Sequence, residues 1–177
     1  IIRITTETLQ GIPSIIIGLF GLLFFSTALH WGYSLLAGAM TLVIMILPLI
    51  IRTTEEALMG VPDAYREASF GLGAGKLRTV FKVVLPSAIP GILSGVVLAT
   101  GRIVGETAAL IYTAGSVAKV PSSLMGSGRT LAVHMYVLAS EGLYMKQAYA
   151  TAVILVLIVI AINALSSRLA KQLMKGK

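Results

Sequence analysis

The sequence predicts an all-α integral membrane protein with about four membrane-spanning helices. Two observations carry that expectation. Of 177 residues, 56% are hydrophobic and 12% charged, with a mean hydropathy of +0.92. Soluble domains carry roughly 25% charged residues, and a water-exposed surface this apolar would aggregate. The charges also stand in short segments between long apolar runs, as lipid requires. There are no cysteines, which excludes disulfides, thiolate zinc sites and thiol catalysis. The two histidines, His30 and His134, lie far apart and have no partner at metal-ligand spacing.

A transmembrane helix needs about 20 mostly apolar residues. The first candidate is Ile12–Leu29, followed by the turn His30-Trp31-Gly32-Tyr33 with its interface-type aromatics. The second is Leu35–Ile51, with Pro48 near its end as a kink. The third is Ile89–Tyr112 and the fourth Ala148–Leu165. Leu131–Ala139 is apolar but too short to cross, and reads as an interfacial or partly re-entrant helix. The whole chain therefore forms one transmembrane domain. It has no starting methionine and no signal-peptide pattern, so the expectation is a C-terminal portion of a longer polypeptide.

The basic residues orient it. Four spans place Arg3, Arg52, Arg66, Lys76, Arg78, Lys82, Arg168, Lys171, Lys175 and Lys177 on one side, against Lys119, Arg129 and Lys146 on the other. The first side is cytoplasmic by the positive-inside rule, which explains the net charge of +7 without invoking nucleic acid. The external connection 113–146 begins with a Pro/Ser/Gly stretch suited to a mobile loop. The cytoplasmic connection 52–88 is long and polar, and reads as two short helices, 62–72 and 76–85, around Gly73-Ala74-Gly75.

That cytoplasmic segment is the most specific feature. Tyr65, Ala68, Ser69 and Leu72 sit on neighbouring faces of a short helix ended by a glycine, making a knob below the membrane. Such a knob suits docking in a partner's cleft and transmission of its movement. The spacing is Glu67-Ala68-Ser69, three residues, Gly73, nine residues, Val83, one residue, Leu85-Pro86. It resembles the EAA signature of ATP-binding-cassette importer permeases, with Ser69 for the second Ala and Val83 for Ile. The resemblance implies an ATPase-coupling role for Tyr65, Glu67, Ala68, Ser69, Leu72 and Gly73. A phosphate-binding loop is excluded nearby: Phe70 stands where its first glycine belongs, and Leu77 follows Lys76.

The third span carries a second pattern. Gly91, Gly95, Ala99, Arg102, Glu106, Ala109 and Thr113 fall within one stripe at about 100° per residue. Small residues admit a neighbouring helix or leave room for a passage. Ionisable residues at membrane depth are costly and usually face the bundle interior or water. Arg102 and Glu106, four residues apart, can pair, so spacing leaves a structural ion pair and a substrate site equally open. An arginine lining a passage suits an anion, because its planar fork matches phosphate or carboxylate oxygens.

Arg102-Ile-Val-Gly-Glu106-Thr-Ala-Ala-Leu110 resembles the Arg-Ala-Ile-Gly-Glu-Thr-Ala-Pro-Leu stretch of the high-affinity phosphate importer (Pst) permeases, with Ala109 for the usual Pro. Gly11-Ile-Pro-Ser14 before Gly18-Leu19, and Tyr136-Val-Leu-Ala-Ser-Glu141, are also similar to that family, more to its PstA-type subunit. The resemblance implies a MetI-like, type I importer fold in a bacterial or archaeal cytoplasmic membrane, and additional spans N-terminal to these four. It implies a paralogous second permease, two ATPase subunits that bind ATP and Mg, and a periplasmic or lipid-anchored phosphate-binding protein. Arg102 would neutralise transiting phosphate and Glu106 would orient Arg102. Two alternatives remain at this point: a permease for sulfate, molybdate or tungstate, and an ATP-independent channel or secondary transporter. A membrane-embedded enzyme lacks a convergent set of catalytic groups in the spans.

Overall fold

In a computed structural model, the backbone is described for residues 2–175 and the side chains for residues 5–168. Arg3, Lys171, Lys175 and Lys177, part of the charge asymmetry, lie outside the described side chains. Every element among the described residues is helical, as lipid demands of a chain whose backbone must satisfy its own hydrogen bonds. Helices α1 (Ile2–Gln10) and α2 (Ser14–Gly21) meet at Pro13, whose extended ψ of 140° opens α2. From Leu22 to Ala28 the chain continues as a π-helical turn, where the Thr27 hydroxyl donates to the Leu22 carbonyl at 3.0 Å. Ser14–Ala28 is therefore shorter than the Ile12–Leu29 span read from the sequence, and shorter than a straight crossing needs.

Ser34 caps α3 (Leu35–Met59), its hydroxyl accepting from the Ala37 N–H at 3.2 Å. The helix runs on past Ile51 because Arg52-Thr-Thr-Glu-Glu-Ala is good helical sequence, held by an Arg52–Glu56 ion pair of 2.8 Å. After Val61-Pro62 comes α4 (Asp63–Gly71). Then α5 (Lys76–Thr79), a π turn (Val80–Val84) and α6 (Leu85–Val104) form one unbroken helix of 29 residues. The segment read as a cytoplasmic loop thus consists mostly of the ends of two long helices. Helices α7 (Ala108–Thr113), α8 (Leu131–Glu141) and α9 (Met145–Lys175) complete the chain. Among the described residues, three helices are long and apolar enough to cross a membrane: Leu35–Met59, Lys76–Val104 and Met145–Arg168.

The packing explains the small-residue stripe. Helix α6 lies against α3, α2 against α7, and α9 against both α6 and α8. A Cβ added at Gly91 would lie 2.7 Å from the Ala57 Cβ, and one at Gly95 would collide with the Thr53 side chain. These glycines therefore serve close helix–helix approach rather than an open passage. The stripe ends on α7, where Ala109 packs against Gly18 and Thr113 against Gly21. Val61, Val84 and Ala88 form one buried cluster where α3 and α6 meet; Leu110, Ala114 and Val133 form another between α7 and α8. We expect Gly95→Leu to destabilise the chain by about 1–3 kcal/mol, the usual cost of overpacking. A fall in melting temperature in detergent checks this, and an unchanged value would contradict the close α3–α6 approach.

The external stretch is not a loose loop. Gly126 and Leu124 carbonyls accept from the Leu35 and Leu36 N–H groups, at 3.0 and 2.9 Å, and Gly128 N–H donates to the Ala114 carbonyl at 3.1 Å. The expected mobility gives way because the first turn of α3 has N–H groups without intrahelical partners, and this segment supplies the acceptors.

Candidate functional site

The short helix α4 has the geometry its sequence encodes. Gly73 adopts φ +79°, its N–H donates to Phe70 at 2.9 Å, and the Ala74 N–H donates to Ser69 at 3.1 Å. This pair of bonds is a Schellman termination, which requires a left-handed residue and so favours glycine. It leaves Leu72 at the tip, 90% exposed. Tyr65, Ala68, Ser69, Leu72 and Gly73 line a single groove of about 640 Å³, closed on its far side by Arg78, Lys82 and Pro86 of the following helix. Glu67 is exposed and does not line it.

Two ties fix this knob to the spans, and sequence reading missed both. The Arg66 guanidinium donates to the Leu58 carbonyl at 2.8 Å and the Val61 carbonyl at 2.9 Å, and pairs with Asp63. It thereby closes the carbonyl end of α3, where a cation is also favoured by the helix dipole. The Ser69 hydroxyl is 2.9 Å from the Thr79 hydroxyl, both buried, which binds α4 to the long helix containing α6. This bond gives Ser69 a reason to stand where the EAA pattern has alanine. The signal for Arg66 was its place one turn beyond the Gly60 and Pro62 helix breaks.

The third-span pair is not brought together. Helix α6 ends at Val104 and α7 begins at Ala108, so Arg102 and Glu106 do not share a helix. Among the described residues, ion pairs within 4 Å are Arg52–Glu56 and Arg66–Asp63. The expected Arg102–Glu106 pairing is therefore corrected. The cause is the Gly105 break: Glu106 Oε1 accepts from the Ala109 N–H at 3.1 Å, and the residue is 9% exposed. A carboxylate at the start of a helix is favoured by its dipole. The bond also needs the N–H that proline would lack, which fits Ala109 at that position.

Arg102 instead lines a groove of about 380 Å³ between α6 and α9, with Ser94, Val97, Leu98, Gly101, Val159 and Asn163. It is exposed, and no hydrogen bond or ion pair holds its guanidinium among the described residues. A cation without a protein partner inside an apolar helix can neutralise an arriving anion. Sequence reading missed Asn163 in this groove, although one amide in an otherwise apolar run was a usable signal.

The sequence profile of the family described as binding-protein-dependent transport system inner membrane component matches residues 1–176. The chain is 40% identical over 155 residues to the probable ABC transporter permease protein YqgI of Bacillus subtilis, covering 80% of this chain and 53% of that protein. It is 45% identical over 115 residues to the phosphate transport system permease protein PstA 2 of Mycobacterium tuberculosis, covering 65% of this chain and 38% of that one. The chain thus spans about half, or less, of the length of these relatives. A solved chain of the MetNI methionine ABC transporter, in inward-facing conformations, superposes with a TM-score of 0.77 at 25% identity. That match covers 96% of this chain and 72% of the other.

Proposed function

We propose, from the premise that this chain belongs to the family of binding-protein-dependent transport system inner membrane components, that it is a permease subunit carrying inorganic phosphate through an ATP-driven importer. Its MetI-like fold is that of a type I importer transmembrane domain. The observation that carries the substrate is Arg102, an unpaired guanidinium in a groove within a spanning helix. Similarity to PstA permeases, at 38–45% identity, supports the same anion.

In this reading Arg102 binds phosphate oxygens transiently. A pathway must hold its ion weakly enough to release it, and the open, unpaired setting of Arg102 suits that need. Glu106 acts indirectly, holding the start of α7 and so the break that follows Arg102. The chain itself is non-catalytic; two ATPase subunits bind ATP and Mg and seat the Leu72 tip in a cleft. A second, paralogous permease and a periplasmic or lipid-anchored phosphate-binding protein complete the assembly in a bacterial or archaeal cytoplasmic membrane. A rigid displacement of α4 reaches α3 through Arg66 and α6 through Ser69–Thr79. Helices α3 and α6 are locked together at Gly91 and Gly95, so the movement arrives at the helix that bears Arg102.

The test is a pull-down of the full-length protein from detergent-solubilised membranes, followed by ATPase assay of what copurifies. We expect an ATPase whose rate rises with phosphate-loaded binding protein. Stimulation by sulfate or molybdate instead would keep the mechanism and change the substrate. No copurifying ATPase would sink the reading in favour of an ATP-independent channel.

A further inference from the structure

The groove beside α4 carries positive charge with no counter-ion among the described residues. Arg78 and Lys82 stand one turn apart on the helix that forms its far wall, both exposed. Like charges at this spacing repel, yet the ion pairs within 4 Å among the described residues are Arg52–Glu56 and Arg66–Asp63. No carboxylate lines the groove, Glu67 of α4 included. Its walls are held in place, because the Ser69–Thr79 bond of 2.9 Å ties α4 to the far helix and Arg66 ties it to the end of α3. Two cations thus line a preformed concavity of about 640 Å³. Apolar side chains border it. Leu72 is 90% exposed at the tip, and Leu77 and Phe81, also exposed, precede the two cations on the adjacent face of their helix. Exposed apolar residues gathered around a polar groove mark a contact surface.

The length of the helix favours protein over lipid as the cover. Lys76–Val104 has 29 residues, about 43 Å at 1.5 Å each, against about 30 Å of hydrocarbon. About 13 Å must project, and the end that bears Lys76, Arg78 and Lys82 is the end hydrocarbon cannot hold. We propose that the groove receives an acidic side chain of the ATPase subunit, its carboxylate bridging the Arg78 guanidinium and the Lys82 ammonium. Apolar neighbours of that side chain cover Leu77 and Phe81. This inference rests on the coupling reading and deepens it: Leu72 enters the ATPase, and the ATPase returns a carboxylate to the permease. The reciprocal contact resists withdrawal of α4 as well as sideways displacement, so α4 follows the ATPase in both directions.

The experiment uses the full-length protein in its complete importer, assembled in nanodiscs of zwitterionic lipid. Release of the copurified ATPase on dilution is followed across a salt series. Arg78→Gln combined with Lys82→Gln removes both charges from exposed side chains. We expect ATPase affinity to fall about 10-fold at low salt and to meet the wild-type value at high salt, where such a pair is screened. Arg78→Lys combined with Lys82→Arg keeps both charges and should retain most of the affinity. Carbodiimide, which joins a carboxylate to an amine in contact with it, should couple Lys82 to an Asp or Glu of the ATPase. Wild-type affinity of the glutamine variant at low salt overturns the inference, as does the absence of that cross-link. A defect that appears only in discs containing anionic lipid assigns the groove to a phospholipid headgroup and overturns it too. If the wild type recovers no ATPase at any salt, the coupling reading itself fails.

Discussion

Arg102→Ala is expected to lower phosphate uptake by about 10- to 100-fold in proteoliposomes that hold the complete importer, the cost of removing a charged hydrogen-bond donor from an anion. The fold should survive. Arg102 is exposed and, among the described residues, its side chain holds no neighbour by ion pair or hydrogen bond. Permease level and ATPase stoichiometry should therefore match the wild type, which separates a transport defect from a folding one. Arg102→Lys should restore part of the rate, because an ammonium supplies the charge without the planar fork. Wild-type uptake by Arg102→Ala would show that the anion passes elsewhere.

Leu72→Asp should abolish the link between ATP hydrolysis and transport. At 90% exposure Leu72 contributes almost nothing to the permease's own packing, so the variant should insert and fold normally. On the proposed coupling role this side chain seats in a cleft of the ATPase subunit, and a carboxylate introduced there would be desolvated without a partner. Such burial costs several kcal/mol, enough to lower ATPase recovery by more than about 10-fold. Copurification stoichiometry and phosphate-stimulated hydrolysis read this directly. Full recovery together with coupled transport would place the contact away from the tip of α4.

Local chemistry made the class of this protein legible in its sequence. An apolar run long enough to cross lipid has few alternatives, and the charge asymmetry follows from the same solvent. The knob was legible because helix termination is a short-range event: Gly73 sits at the one position where a left-handed residue closes α4. Arg102 stood out because a cation in an apolar run is costly wherever it falls. The sequence could not decide which helices meet. Gly91 and Gly95 had two readings until α3 was found against them with Ala57 and Thr53. Glu106 lay one turn from Arg102 on an ideal helix, yet a break at Gly105 turned it to the Ala109 N–H instead. Asn163 joined the groove of Arg102 only when α9 packed beside α6, some sixty residues away along the chain. Periodicity and turn chemistry act over a few residues, so the sequence by itself determined the membrane class, the knob and the cation. Pairings between distant helices depend on the summed shape of both surfaces, so only the tertiary structure decided what each of those features faces.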